Sequence, residues 1–245
     1  MKLHFPHPHP TFGTKNHPKP QSAWQRSVYY WWWEYLRRNE DYKRTCEKGG
    51  KGKCAALYKD FGDVFATDFK TWWTEDDRGA RLFAEPPTPS IRAIEEGIVL
   101  KTPQEKTLVL EVPLNLPRNH LVKRFREILS KRHSGKKGNK VGARTQAKYP
   151  IASGRIDIKS LKRALQVWDA RQENPKKTIC ELATELNLAP AHRIQPSDSP
   201  KVAFDKRNNL NATASRYLRR AKQAIDGAGK GKFPLRLERS EKRCN

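Results

Sequence analysis

The stretch SVYYWWWEYLRRN, residues 27–39, constrains the fold of this chain more than any other. Tyr29, Trp32, Trp33 and Leu36 recur at intervals of three and four, the spacing of one helical face, and Ser27 is placed to cap the first turn. Three consecutive tryptophans cannot all face one core. Trp31 is therefore expected on a second surface, while its neighbours form an aromatic core with Trp72 and Trp73. Base stacking or a protein interface is the other use to which such rings are put.

Around this helix the chain alternates short elements with breakers. The loop EKGGKGKC, residues 47–54, lacks the G-x-x-x-x-G-K-[ST] order of a phosphate-cradling loop, so nucleotide binding is not expected there. A short helix is predicted over Ala55 to Phe61, and another from about Thr67, with Thr67 as its cap and Phe69, Trp72 and Trp73 as its buried side. Three segments, GARLFAEP (79–86), GIVLKT (97–102) and KTLVLEVPLN (106–115), are rich in apolar and β-branched residues and bounded by Gly and Pro. They read as strands of a small sheet. Pro117 suits the first turn of a helix to about Lys131, with Leu121, Phe125, Ile128 and Leu129 as its inner stripe.

Charge separates the two parts of the chain. Residues 1–100 hold 16 Lys+Arg against 13 Asp+Glu, net +3, whereas residues 101–245 hold 34 against 13, net +21. A field of that sign attracts a polyanion, most simply nucleic acid, because phosphates neutralised by Lys and Arg release condensed counterions. The proline-rich first 22 residues, with His4, His7, His9 and His17, read as a disordered or extended arm with at most an incidental metal site. Residues 130–150 contain seven Lys+Arg, no acid and three glycines. They read as a flexible basic linker whose Lys136, Lys137, Lys140 and Arg144 lie along phosphates, or as a plain solvated linker.

The basic part carries a second pattern. Residues 157–173 form a helix with Ile158, Leu161, Leu165 and Trp168 on one side, stopped by Asn174-Pro175. In KKTICELATELNL, Thr178 and Glu181 have capping-box spacing, Ile179, Leu182, Ala183 and Leu186 form an inner face, and Asn187 suits a left-handed turn. Small Ala183 would let a following helix cross closely, as in the first helix of a helix-turn-helix. The segment APAHRIQPSDSP then intervenes, and the next helix is predicted from Asn209 or Asn211. Its apolar stripe is Leu210, Ala214, Tyr217, Leu218, Ala221 and Ile225, while Arg216, Arg219, Arg220, Lys222 and Gln223 occupy the other side and suit base edges and phosphates. The end, from Gly227, reads as a glycine-hinged basic tail.

These residues carry a family resemblance. WWWEYLRRNEDY resembles the aromatic E-[FY]-L-R-R-N-x-x-Y opening of bacterial transcriptional-regulator-like DNA-binding proteins of plasmids, phages and integrative elements. LKRALQVWDARQ, TICELATELNL and SRYLRRAKQAI resemble successive helices of their carboxyl-terminal DNA-binding domain. The resemblance implies regulation of transcription within a mobile element.

The expectation is an α+β chain, mainly helical. Its parts are a disordered arm (1–22), an aromatic-rich helical and small-sheet domain (23–129), a basic linker (130–150), a helix-turn-helix-like domain (151–233) and a basic tail (234–245). Double-stranded DNA is the expected partner, with protein contact or self-association through the aromatic domain a further possibility. Coating of nucleic acid without sequence preference is the alternative function. Asp60, Asp63 and Asp68 have the residue types of a nuclease but not its placement, and no catalytic triad or metal-protease motif occurs. The chain is expected to be no enzyme, to need no cofactor or metal, and to be cytoplasmic and nucleoid-associated. Four scattered cysteines argue against a disulfide scaffold or structural zinc, and neither an apolar run of about 18 residues nor a signal peptide is seen.

Overall fold

The computed structural model describes residues 4–85, 108–132, 147–151 and 156–234, and these are mainly helical. The chain divides into two compact units, residues 1–87 with 146–245, and residues 88–145. In the first unit Ser27 accepts a hydrogen bond from the Tyr29 amide and opens α2, Val28–Leu36, which follows the single turn α1, Gln21–Trp24. Eight of the nine α2 side chains are buried. A helix apolar on every side needs neighbours on every side.

Those neighbours come from the whole length of the unit. After α2 come α3 (Glu40–Glu47), α4 (Ala55–Phe61), α5 (Phe69–Thr74) and α6 (Arg78–Phe83). Trp32 is fully enclosed, with ring centroids 5.8 Å from Phe61, 5.3 Å from Phe83 and 5.6 Å, stacked, from Phe233. Tyr29 meets Phe83 at 4.8 Å and Trp73 at 5.4 Å, while Trp33 meets Phe69 at 5.6 Å. The second surface expected for Trp31 is not found, for it is only 5 % exposed and its Nε1 donates to the Gln25 carbonyl at 2.8 Å. The turn before α2 supplies the wall that its sequence position lacks.

Residues 79–86 have the composition of a strand, but 79–83 belong to α6, because Leu82 and Phe83 reach the aromatic core from adjacent helical positions. Gly79 makes that approach possible, since a Cβ there would lie 2.2 Å from the Trp73 ring. Residues 108–113 have no regular structure, and residues 97–102 lie outside the described ones. Among the described residues β pairing is limited to isolated bridges, so the small sheet is not found there. Asp68, not Thr67, caps α5, accepting from the Thr71 amide at 3.0 Å. The amino-terminal arm is docked rather than disordered: Phe5 packs on Tyr29 and Trp73, Phe12 on Trp24 and Phe69, and the Glu85 amide donates to the His4 carbonyl at 2.8 Å.

The carboxyl-terminal helices are α8 (Ile158–Glu173), α9 (Ile179–Glu185) and α10 (Pro200–Gly229), and α8 and α10 contribute to the aromatic core. The motif E-Y-L-R-R-N makes the joint. Tyr35 Oη donates to the Leu161 carbonyl at 2.9 Å, and Arg38 grips Asp169 through Nε at 3.2 Å and Nη2 at 2.9 Å while also pairing with Glu34. Asn39 accepts from the Tyr42 amide at 2.9 Å and donates to the Ile225 carbonyl at 3.0 Å. Gly229 admits this contact, because a Cβ there would lie 2.4 Å from the Asn39 amide nitrogen. Phe233, expected in a tail, is 1 % exposed. The end of the expected linker is also docked, with Lys148 Nζ and Tyr149 Oη each 2.6 Å from Asp60.

In the second unit the described residues include α7, Arg118–Arg132. Its expected inner stripe is not covered, for Leu121, Phe125 and Ile128 are half-buried and Leu129 is exposed.

Two outcomes follow from this core. Trp32→Ala empties a fully enclosed site and should lower unfolding free energy by about 3–5 kcal/mol, read from denaturant melts. Burial raises the proton affinity of Asp60, but the hydrogen bonds from Lys148 and Tyr149 outweigh it and hold the carboxyl below its usual value. A depressed carboxyl stabilises the fold above its unfolded pKa of about 3.9, and that contribution fades as pH falls through the folded value. Asp60→Asn should therefore flatten the loss of stability below about pH 4 in acid titrations.

Candidate nucleic-acid interface

Local sequence builds the α8–α9–α10 arrangement step by step. Asp157 caps α8 by accepting from the Lys159 amide at 3.0 Å. Thr178 and Glu181 form the capping box of α9: the Thr178 hydroxyl accepts from the Glu181 amide at 3.2 Å, and Glu181 Oε2 accepts from the Thr178 amide at 2.7 Å. Hydrogen bonds from Thr178, backbone first, hold the Glu181 carboxyl below its usual range. Asn187 has φ 48°, the Leu188 amide reaches the Ala183 carbonyl at 2.9 Å and the Asn187 amide reaches Thr184 at 3.0 Å. That is the paired bonding of a left-handed helix stop. Arg163 of α8 then donates to the carbonyls of Leu186 and, at 3.1 Å, Asn187, placing a cation on the negative end of α9.

The crossing of α9 on α10 forms a second small core. Ala183, Leu210 and Ala214 are buried together, with Ile179, Cys180, Leu188, Ala189 and Ile194 packed around them. Ala183 is the small residue that the crossing needs. The connection between the helices contains a 3-10 turn, Pro190–His192, and is pinned by Asp198, which accepts from the Gln195 amide at 2.7 Å and from Lys206 Nζ at 2.7 Å.

The long helix starts earlier than the apolar stripe indicates. Ser199 caps it, accepting from the Val202 amide at 3.4 Å, and Pro200 occupies its first turn, so residues 200–208 belong to α10. Ser-Pro ahead of a helix-forming stretch is the signal that marks this start. The apolar side then runs from Leu210 to Ala228, burying Ala214, Ala221, Ala224 and Ile225 as well. Leu210 and Ala214 meet α9, whereas Ala221 onward joins the aromatic core.

On the opposite side Arg216, Arg219, Arg220 and Lys222 are exposed and Gln223 is half-buried. The side chains of Arg216, Arg219 and Lys222 make no hydrogen bond or ion pair among the described residues, while Arg220 Nη1 lies 3.5 Å from Ser160 Oγ of α8. Lys159 and Lys162 of α8 are also exposed. The earlier helix start also places exposed Lys201, Arg207, Asn208 and Asn209 on α10, ahead of its apolar stripe. Lys136, Lys137, Lys140 and Arg144 lie outside the described residues.

The remaining candidate groups have structural tasks. Asp63 accepts from the Phe65 amide at 2.8 Å, Asp68 caps α5 and Asp60 holds Lys148 and Tyr149. Among the described residues no group of three or more His, Cys, Asp and Glu could hold a metal ion, and Cys46, Cys54 and Cys180 are free thiols. No helix among them is long and apolar enough to cross a membrane. The aromatic side chains of α2 are enclosed rather than offered to a partner. Compared with protein-family models, curated proteins and solved structures, the chain matches none.

Ala183 of α9 is fully buried against Leu210 and Ala214 of α10. Ala183→Leu should cost about 1–3 kcal/mol in denaturant unfolding through overpacking of that crossing.

Proposed function

We propose that the protein is a DNA-binding transcriptional regulator that lays α10 in the major groove of duplex DNA. The observation that carries this reading is the division of α10 into two sides. One is committed to packing, and the other presents Arg216, Arg219 and Lys222 without partners among the described residues. A guanidinium free of internal partners keeps its donors for guanine O6 and N7 or for phosphate oxygens. A helix held from Leu210 onward by α9 and the aromatic core presents those donors in fixed register, which a flexible basic segment does not. The formal charge of +24 supplies long-range attraction to a polyanion. The regulatory role within a mobile element, and the nucleoid location that accompanies it, rest on the resemblance of WWWEYLRRNEDY and SRYLRRAKQAI to regulator-like proteins.

Titration of the full chain onto duplex DNA at several salt concentrations tests the reading. Joint replacement of Arg216, Arg219 and Lys222 by Ala should weaken binding and reduce the log–log salt slope by about 0.9 for each phosphate that the variant no longer neutralises. A regulator binds its own site at least about a thousandfold tighter than random duplex, whereas a coating protein shows almost no such ratio. Unchanged affinity in the triple variant would remove α10 from the interface.

A further inference from the structure

The exposed side of α10 is not uniformly basic. Along it, in helical order, stand Asn208 and Asn209, then Ala212 and Ser215, then Arg216 and Arg219, all exposed. Asparagine is a weak helix former, and its side chain competes with the backbone for hydrogen bonds. Yet Asn208 and Asn209 sit in the interior of a 30-residue helix, and their side chains find no hydrogen-bond partner among the described residues. Ala212 and Ser215 keep the middle of this side low, so the helix axis can come close to an opposing surface. Asp205 is exposed one turn before Asn208. A carboxylate there is repelled by phosphates, which favours base edges over backbone as what this side meets.

On the reading that α10 enters a major groove, we infer that the helix distinguishes two kinds of base pair along its length. Its amino-terminal part, through Asn208 or Asn209 and the Ala212 methyl, takes A·T pairs, and its carboxyl-terminal part, through Arg216 and Arg219, takes G·C pairs. The chemistry is specific: an asparagine amide matches adenine N6 and N7, a small methyl meets the thymine methyl, and a guanidinium matches guanine O6 and N7. Spacing sets the geometry. Asn208 and Arg219 are 11 residues apart, which spans about 16 Å at 1.5 Å per residue, or about five base pairs at 3.4 Å each. Beyond Gln223 Ala224, Ile225, Gly227 and Ala228 are buried and the exposed residue is the acidic Asp226, so the basic stretch ends there. Exposed Phe204 extends the apolar contact at the other end, at 59 % exposure.

Selection of duplexes from a random library by the full chain, repeated with Asn208→Ala and Arg219→Ala, tests this directly. Both positions are exposed and alanine favours helix, so neither variant disturbs folding. The expected result is an enriched site with an A·T block and a G·C block within about five base pairs. Asn208→Ala should relax selection only in the first block and Arg219→Ala only in the second. Each should lower affinity for the selected site by about 5- to 150-fold, with little change on random duplex. Tight duplex binding with no enriched sequence overturns the inference and leaves duplex binding in place. Both variants relaxing the same positions overturns it too. Absence of binding to any duplex removes both this inference and the function on which it rests.

Discussion

The enclosure of α2 is the constraint on which the rest of the structure depends. A helix whose side chains are Val28, Tyr29, Tyr30, Trp31, Trp32, Trp33, Tyr35 and Leu36, all buried, cannot rest on one layer of neighbours. Fully burying such side chains is worth about 1.5–3 kcal/mol each for the aliphatics and more area for the aromatics, so the chain gathers elements from both ends to achieve it. The arm supplies Phe5, α6 supplies Phe83, and the residues after α10 supply Phe233. Closure of the core therefore brings distant segments together.

Polar groups on α2 and just beyond it decide how the carboxyl-terminal helices attach. Tyr35, Arg38 and Asn39 each contact a different part of α8 or α10. The Arg38–Asp169 pair is two-pronged and partly shielded, which gives it directional value beyond a surface ion pair. Asn39 uses its oxygen to cap α3 and its nitrogen on α10, so one side chain links the helix start to the packing of the long helix. Arg37, by contrast, lies over aromatic rings, 4.6 Å from that of Trp33 and 5.8 Å from that of Phe65.

The long helix consequently has two roles divided along its length. Its carboxyl-terminal third is enclosed by the aromatic core, while its earlier turns are held only from one side by α9 and leave the other side open. Rigidity at one end and accessibility at the other suit a helix that presents side chains to a large, regular ligand. The surplus of charge beyond residue 100 suits the same ligand by a different route, since it acts at long range and without regard to register.

Local signals in the sequence determined much of this. Ser27 as cap, the helix over Ala55–Phe61, the capping box of Thr178 and Glu181, the left-handed turn at Asn187 and the small crossing residue Ala183 are all short-range features, each governed by residues a few positions apart. The apolar stripe of α10 and the exposure of Arg216, Arg219 and Lys222 also follow from helical periodicity alone. Tertiary structure decided what periodicity could not. Residues 79–83 became helical because Phe83 had a place among Tyr29, Trp32 and Trp73, and Trp31 was buried because the preceding turn folded over it. The arm and Phe233 joined the core, and α8 and α10 attached to α2, through contacts between residues far apart in sequence, such as Asn39 and Ile225, 186 positions apart. Such contacts depend on which apolar surfaces are left uncovered once the local helices exist, and that is a property of the assembled chain rather than of any window within it.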